Sequence, residues 1–562
     1  MKVLWLVSIT IPAAAEACGL RAGEVSGGWL TGQLHALTNR PDAPFLTVCS
    51  VDSRAKTALT GGKGGVRYRI LPDGERDTFA MLLRAEKPDL VHIWGTEYPA
   101  AAAMHQAALG LGIPALVGIQ GVMRDCAAHL CDGVPARYLH SGPVQKLIDR
   151  AVPGALLDKM QARFDGLARA EADLLRQARY VTGRTGFDRA AMADLAPDAR
   201  YFACNETLRP AFYTEPLWQP RTFGTAPVLL LTQGNYPLKN LHTLLLALPA
   251  LLRRWPGLVL RVAGWGPLDK GALLRPVIEA MFPYQTWCAR LIKENGLQHH
   301  VQYTGPLQEA EMRQAYLDAD VFVLPSYCEN SPNSLGEAML LGLPCAAARA
   351  GGIPSMMGEE EGMLYGPPGD AQNLSNALAA LLSDPGRAAA LGQAARRRAL
   401  ATHDPAANAG TLLAIYRTIT GEESLWACRP SPSSSPATAA RPPCAVRWTA
   451  CWTARRKTCS CCWWMTAAPM PPPPCATPWP GRTGASPPCT GKTAGLPPPG
   501  TPGWRPLPGN GSCLWTRTTS CCPGCGRRCR PPWPPAPPWF FSAWSGPAAP
   551  PPAPWRRGCM NA

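Results

Sequence analysis

The C-terminal quarter of this 562-residue chain lacks acidic residues, and this absence divides the sequence into two parts. No Asp or Glu follows Glu423, and no His, Tyr or Ile occurs from residue 421 to the end. The same stretch holds 32 of the 62 prolines, 12 of the 19 tryptophans and 14 of the 22 cysteines. Proline at this density removes backbone donors and stops helices and strands from propagating. We therefore expect no packed core in residues 421–562 and predict a disordered tail.

The charge is divided in the same way. Residues 421–562 contribute 15 basic residues against Glu422 and Glu423, which is +13 of the net charge of +16. The first 420 residues carry 40 Lys and Arg against 37 Asp and Glu. A basic, tryptophan-bearing tail leaves open a binding module for nucleic acid or a membrane surface. We favour neither interpretation and expect no nucleic-acid partner.

The stretch CCWWMTAAPM at residues 461–470 has a simpler explanation in the genetic code. If the reading frame slips by one base, the codons of residues 461–466 can encode only Leu-Leu-Val-Asp-Asp. Trp and Met have one codon each, which fixes the shifted codons. The same slip permits Val-Ser-Val-Val-Val-Pro-Cys-Tyr from residues 430–438 and Ile-Leu-Phe-Val-Asp-Ala-Asp-Asp from residues 511–519. In this frame the tail resembles the first half of a family 2 glycosyltransferase. We interpret residues 421–562 as the frameshifted remnant of a second transferase domain.

The first 420 residues lack an apolar run of the about 18 residues that a membrane span needs. Their eight cysteines are scattered without metal-ligand spacing, which is typical of proteins from a reducing cytoplasm. The opening MKVLWLVSITIPAAAEACG resembles a secretory signal, but the pattern that follows favours a buried first strand of a parallel sheet. We predict a cytoplasmic protein, with peripheral contact at the inner face of the membrane left open.

Strand and helix patterns alternate in two consecutive series. The first runs from VLWLVSI to ARYFACN within residues 1–215, and the second, within residues 216–420, includes PVLLLTQGN and VFVLPS. Alternation of this kind indicates an α/β protein with parallel sheets and ligands at the carboxyl ends of the strands. We predict two facing doubly wound, Rossmann-like domains with the active site in the cleft.

The most informative segment is SYCENSPNSLGEAMLLGLPCAAARAGG at residues 326–352. Glu329 follows the strand VFVLPS, and Glu337 comes eight positions later inside the next helix. Ser334 and Glu337 also fit a capping box, so the alternative is that Glu337 only caps this helix. A sugar nucleotide needs hydroxyl acceptors at a strand edge and a helix N-terminus facing its diphosphate. The segment predicts both features, the acceptors at the strand end and the helix N-terminus.

ENSPNSLGE, followed by Gly342-Leu343-Pro344 and Gly351-Gly352, resembles the marker of the retaining glycosyltransferases of family 4, which have the GT-B fold. The resemblance extends over roughly residues 1–418 and includes the segments HIWGTEYP, GRT and NETLR. It implies a nucleotide-diphosphate sugar as co-substrate and a glycan or lipid-linked acceptor, in bacterial surface polysaccharide synthesis. It implies neither a cofactor nor a metal.

The same resemblance assigns roles to individual residues. Glu329 is expected to contact hydroxyls of the donor sugar, Glu337 the ribose, and Lys239 the diphosphate. Gly28 lets the backbone approach the diphosphate without a side chain in the way. The predicted catalytic residues are Glu329 and Lys239, and the predicted donor-binding residues are Gly28, Asn235, Gly264, Asn330, Ser331, Asn333, Ser334 and Glu337.

Two positions depart from the family. Asn235 stands where an arginine is frequent, and Gln120 stands where many relatives have a histidine. Stabilisation of the leaving diphosphate is therefore predicted to rest on Lys239 and the helix N-terminus at Ser334. Retention by front-face attack on an oxocarbenium-like state follows from the resemblance. A sugar-nucleotide 2-epimerase of the same fold is an alternative that the motifs leave open.

Overall fold

The computed structural model describes residues 1–21, 27–151, 156–266 and 275–427, which form two α/β domains, each built on one sheet. The frameshift interpretation and the predicted disorder of residues 428–562 lie outside the described residues. Residues 421–427 of the predicted tail belong to the last helix.

The first domain has an eight-stranded sheet in the order β3-β4-β2-β1-β5-β6-β7-β8. Neighbouring strands are parallel except for β3 and β4. The strands are β1 (Lys2–Val7), β2 (Phe45–Val51), β3 (Leu59–Lys63), β4 (Val66–Leu71), β5 (Leu90–Trp94), β6 (Ala115–Gly118), β7 (Tyr180–Gly183) and β8 (Arg200–Ala203). The helices are α1 (Pro12–Ala17), α2 (Gly28–Thr38), α3 (Arg76–Glu86), α4 (Pro99–Gly110), α5 (Met123–Ala128), α6 (Ala136–Leu139), α7 (Pro143–Ala151), α8 (Leu157–Leu175) and α9 (Gly186–Leu195).

The first strand lies in the middle of this sheet. Five of the six residues of β1 are buried, and the strand pairs in parallel with β2 and β5. Strands covered on both faces by helices are apolar along their whole length rather than at alternate positions. The prediction of a buried parallel strand from VLWLVSI is confirmed.

The edge strand β3 was missed by the sequence analysis. Its sequence LTGGK has no apolar alternation, and it pairs with β4 in antiparallel register. A Cβ atom on Gly61 would lie 2.2 Å from the carbonyl oxygen of Ala17. Glycine is required here because the last residue of α1 contacts the strand backbone.

The second domain has a six-stranded, fully parallel sheet in the order β11-β10-β9-β12-β13-β14. The strands are β9 (Val228–Leu231), β10 (Val259–Val262), β11 (Val301–Tyr303), β12 (Val321–Leu324), β13 (Cys345–Ala348) and β14 (Met363–Tyr365). The helices are α10 (Leu241–Leu252), α11 (Arg275–Met281), α12 (Pro283–Glu294), α13 (Glu309–Asp318), α14 (Asn333–Leu341), α15 (Ile353–Met356), α16 (Ala371–Ser383) and α17 (Pro385–Thr402), and the chain continues into α18 (Pro405–Ala427).

Each sheet has a point where the strand order reverses. In the first domain this point lies between β1 and β5, and in the second it lies between β9 and β12. The chain leaves the carboxyl ends of two neighbouring strands in opposite directions there, which opens a crevice that binds ligands in doubly wound folds. In the second domain the crevice is bordered by residues 232–240, after β9, and residues 325–332, after β12.

The last helix packs on the first domain. Tyr416 of α18 accepts a hydrogen bond from Trp5 Nε1 at 2.9 Å and lies 2.7 Å from His92 Nδ1. Leu412 and Ile419 are buried in the same cluster. The domain limits 1–215 and 216–420 stay a prediction, but the core of the first domain includes this helix because its apolar face covers one side of β1 and β5. Among the described helices, none is both long and apolar enough to cross a membrane.

Glu171 of α8 is a buried acid in the first domain. Its carboxylate accepts hydrogen bonds from Thr96 Oγ1 and, at 2.7 Å, from the amide of Met123. Burial nevertheless raises the pKa of Glu171 to about 7. The folded protein therefore holds a proton here that the unfolded chain, with an ordinary pKa of about 4.3, has released.

We expect this proton to make the free energy of unfolding fall as pH rises from about 5 to 7. The slope contributed by Glu171 is at most about 1.4 kcal/mol per pH unit, because one proton is involved. Urea unfolding of the wild type and of Glu171→Gln at pH 5, 6, 7 and 8 measures it. The glutamine variant should lose this part of the slope, and identical slopes for both proteins would contradict the assignment.

Candidate functional site

Lys239 and Glu329 meet at the reversal point of the second sheet. Lys239 ends a short 3-10 helix, Pro237–Lys239, after β9, and Glu329 lies on the loop after β12. Lys239 Nζ donates to Glu329 Oε1 at 2.6 Å, and the two side chains are only 15% and 12% exposed. Asn240, in the left-handed region with φ 58°, ties the loops together by donating from Nδ2 to the Pro325 carbonyl at 2.9 Å. The two predicted catalytic residues are thus neighbours 90 positions apart in sequence.

The charge of Lys239 is stabilised by this arrangement. Burial by itself would lower the pKa of the Lys239 ammonium, but the Glu329 carboxylate and the Tyr236 hydroxyl raise it above the ordinary value. The site therefore offers a permanent cation next to a carboxylate acceptor. A phosphate oxygen can replace Glu329 as the partner of Lys239 and free the carboxylate for hydroxyl groups.

Glu337 is paired with an arginine that the sequence analysis gave no role. Arg209 Nε and Nη2 donate to the two carboxylate oxygens of Glu337 at 2.7 Å each, and Tyr316 OH lies 3.4 Å from Oε2. The capping-box alternative for Glu337 is wrong, because α14 begins at Asn333 after Pro332 and has no side-chain cap. Arg209 is the last residue of the segment NETLR. A single arginine in a loop gives no sequence pattern from which its ion-pair partner could be predicted.

Gly28 lies against the same arginine. It is the first residue of α2, after Gly27 in the left-handed region with φ 54°. A Cβ atom on Gly28 would lie 2.1 Å from Arg209 Cδ, so a side chain at this position would displace the arginine. The predicted close-approach glycine therefore adjoins the Arg209–Glu337 pair.

Asn330 joins the two domains rather than facing open space. Its Oδ1 accepts from Thr185 Oγ1 at 2.6 Å, and its Nδ2 lies 3.0 Å from Asp188 Oδ2 and 3.2 Å from the Gln120 carbonyl. A Cβ on Gly352 would lie 1.9 Å from the Asn330 carbonyl. Gly351-Gly352 is thus explained by the close passage of this loop along the backbone of residues 329 and 330. The predicted contact of Asn330 with the sugar nucleotide stays a prediction.

The other predicted donor-binding residues border the same crevice or its flank. Asn235 Oδ1 and Asn333 Oδ1 are buried and have no hydrogen-bond partner among the described residues. Buried acceptors of this kind normally find a partner, so both are available to a ligand donor. Ser331 and Ser334 are half-buried at the start of α14. Gly264 follows β10 in the left-handed region with φ 115°.

Gln120 follows β6 in the first domain, at the position where the resemblance implied a histidine. Its side chain donates to Glu206, which is also paired with Arg184 in a salt bridge whose two side chains are each 4% exposed. His92 lies in β5 and is fully buried, and burial lowers its pKa to about 3, so this imidazole is neutral. His92 therefore does not replace the histidine that the resemblance implied.

One Asp-x-Asp triplet, which the prediction of a metal-free site overlooked, occurs at Asp318-Ala319-Asp320. Asp320 precedes β12, where it accepts from Arg221 Nε at 2.5 Å and from the Val228 amide at 2.7 Å. It therefore lies at the amino end of the strand, opposite the crevice. In the described part of the chain no group of three or more His, Cys, Asp or Glu side chains is arranged to hold a metal.

Part of the chain is similar to known proteins. Residues 218–398 match the family model described as glycosyl transferases group 1. A sulfoquinovosyl transferase from Arabidopsis thaliana is 44% identical over 98 residues, which cover 17% of this chain and 19% of that protein. A GDP-mannose-dependent phosphatidylinositol monomannoside mannosyltransferase from Mycolicibacterium smegmatis is 31% identical over 186 residues, which cover 32% and 44%. The chain thus spans less than half the length of these curated relatives. The predicted resemblance to family 4 is confirmed, with the family model matching residues 218–398 of the predicted 1–418.

Solved structures share the fold over most of the described chain. Sucrose-phosphate synthase from Thermosynechococcus elongatus aligns with a TM-score of 0.54 at 17% identity, covering 75% of this chain and 100% of that one. HepE from Anabaena in complex with UDP aligns with a TM-score of 0.50 at 16% identity, covering 74% and 100%. The predicted GT-B fold with two Rossmann-like domains is confirmed.

Proposed function

We propose that this protein is a glycosyltransferase that moves a sugar from a nucleoside-diphosphate sugar to a glycan or lipid-linked acceptor. The observation that carries the proposal is the Lys239–Glu329 pair at the reversal point of the second sheet. A cation and a carboxylate in one crevice match the two ends of the donor bond that breaks, the diphosphate and the sugar. The matching family model over residues 218–398 and the relatives named above support the same class of reaction.

The chemistry requires a nucleoside diphosphate to leave an anomeric carbon. Negative charge grows on the diphosphate in the transition state and is stabilised by preorganised cations and N–H groups. Lys239 supplies the cation, and the first turn of α14, which has no side-chain cap, supplies unsatisfied N–H groups. Glu329 is released from Lys239 as the diphosphate binds and accepts hydroxyls of the donor sugar.

We propose further that transfer retains the anomeric configuration and does not depend on a metal. Both properties follow from the resemblance to family 4, in which the acceptor attacks from the face that the diphosphate leaves. The acceptor is proposed to be a bacterial surface polysaccharide or its lipid-linked precursor. One relative is a phosphatidylinositol monomannoside mannosyltransferase, which supports a lipid-linked acceptor. Peripheral contact with the inner membrane is part of the proposal.

A thermal-shift screen of the full chain against nucleotide sugars and nucleoside diphosphates tests the donor. At a ligand concentration of 100 Kd the free energy of unfolding should rise by about 2.7 kcal/mol, and Tm should rise with it. Lys239→Met should reduce the shift, whereas Lys63→Met should keep it in full because Lys63 forms an exposed pair with Glu16. If no nucleotide changes Tm in the wild type, the proposal is wrong.

Turnover of the identified donor separates transfer from the other reactions of this fold. We expect release of nucleoside diphosphate to depend on an added glycan or lipid-linked acceptor. Conversion of the donor without acceptor would instead indicate the 2-epimerase. Loss of nucleotide binding on removal of residues 428–562 would place the activity in the tail and contradict the proposed site.

A further inference from the structure

Arg209 is a charged residue of the site that has no role in the proposed reaction steps. It lies in the crossover segment between β8 and β9 and forms a fork with Glu337 through two hydrogen bonds of 2.7 Å. Bidentate arginine–carboxylate pairs are the strong and geometrically specific form of ion pair. The arginine side chain is 15% exposed, so the pair is largely shielded from solvent.

Glu337 needs such a partner to remain ionised. It is 6% exposed, and burial raises its pKa, while the Arg209 guanidinium opposes that rise. The other groups that face it are Tyr316 and Glu309 of α13, of which Tyr316 donates a long hydrogen bond and Glu309 repels the charge. His403, next to Gly336, is neutral because burial lowers its pKa to about 4. Arg209 is therefore the cation that faces Glu337.

Arg209 is itself held in one orientation. Its guanidinium carbon lies 4.5 Å from the centre of the Phe212 ring, and its aliphatic stem occupies the space that the missing side chain of Gly28 leaves. An arginine fixed in this way presents the Glu337 carboxylate in one direction. Oε1 has a second lone pair beyond the one that Arg209 uses, and the second lone pair of Oε2 faces the Tyr316 hydroxyl at 3.4 Å. Glu337 can therefore accept one hydroxyl donor at Oε1 and a second in place of Tyr316 at Oε2.

We infer that Arg209 is a positioning residue that keeps Glu337 ionised and oriented to accept the ribose hydroxyls of the nucleotide. The inference deepens the proposed function and rests on it. It assigns to the crossover segment the ribose half of the donor site, whereas Lys239 serves the diphosphate half. The consequence is that removal of Arg209 makes nucleotide binding depend on pH through Glu337.

Isothermal titration calorimetry from pH 6 to pH 9 tests this. The probe is whichever of UDP, GDP and ADP binds the wild type. Wild-type affinity should change little with pH through Glu337, because both of its carboxylate oxygens accept hydrogen bonds from Arg209. Arg209→Met should bind about tenfold or more weakly at pH 6, as expected for a lost charge-assisted hydrogen bond of about 1.5–3 kcal/mol, and should recover as rising pH ionises the unpaired Glu337. Arg209→Lys should lie between the two at pH 6.

The double variant Arg209→Met/Glu337→Gln is the matched control, and it should bind weakly at every pH. Far-UV circular dichroism and a thermal melt show that each variant is folded, and Arg209→Lys keeps the test valid if Arg209→Met does not fold. Binding by Arg209→Met that equals the wild type, or that is weakened equally at all pH values, overturns the inference while leaving the proposed function intact. Absence of nucleotide binding in the wild type would contradict both the inference about Arg209 and the proposed function.

Discussion

Replacement of Lys239 by methionine is expected to lower kcat/KM for the nucleotide sugar by about 10²–10³, the usual cost of removing one preorganised group that stabilises transition-state charge. The methionine keeps most of the aliphatic stem and removes only the ammonium. Because that ammonium is buried and is held charged by Glu329, no surface lysine can replace it. The expected signature is a loss in kcat larger than the rise in KM, since charge on the diphosphate is greatest as the bond breaks.

Steady-state kinetics of three variants separate catalysis from stability. Lys239→Met leaves Glu329 without its partner, so Lys239→Met/Glu329→Gln is measured beside it to remove the unpaired carboxylate. Both should be slow. Lys63→Met should match the wild type, because Lys63 lies in the edge strand β3 of the first sheet and its partner Glu16 is 69% exposed. A folded Lys239→Met protein with kcat/KM within threefold of the wild type would show that the diphosphate is stabilised elsewhere.

Replacement of Arg184 by methionine is expected to reduce the free energy of unfolding by about 3–5 kcal/mol, because it leaves Glu206 as an unpaired buried charge. The two side chains are each only 4% exposed. Arg184 also donates from Nη2 to the carbonyls of Ile119 and Gln120 at 3.1 and 2.9 Å. The loop after β6, which carries Gln120 and contacts Asn330, therefore loses its support together with the ion pair.

Urea unfolding at pH 7 measures this effect. Arg176→Met is the matched control, because Arg176 pairs with Asp173 on the surface of α8 with both side chains about two-thirds exposed. Surface pairs of this kind contribute little to stability, so its denaturation midpoint should equal that of the wild type. Equal midpoints for Arg184→Met and Arg176→Met would mean that Glu206 is protonated or solvated in the folded protein. Arg184→Met/Glu206→Gln should recover part of the lost stability.

Much of the fold could be predicted because it depends on local patterns. Continuous apolar runs such as VLWLVSI and VFVLPS indicate strands that are buried on both faces, and the structure confirms both as β1 and β12. The glycine-rich β3 could not be predicted, because its position depends on backbone contact with α1 and not on its own hydrophobicity. The return of α18 to the first domain was missed for a similar reason, since an amphipathic helix does not specify which apolar surface it covers.

The sequence by itself determined the two alternating α/β series, the change of composition near residue 421, and the residue types of the proposed donor site. The spacing of Glu329 and Glu337 places one at a strand end and the other on the following helix, and both positions follow from local geometry. Only the tertiary structure decided their partners. Lys239 reaches Glu329 because β9 and β12 are neighbours at the reversal of strand order, and Arg209 reaches Glu337 because the crossover segment passes Gly28. Contacts between loops that follow different strands depend on strand order, and no local pattern of residues encodes that order.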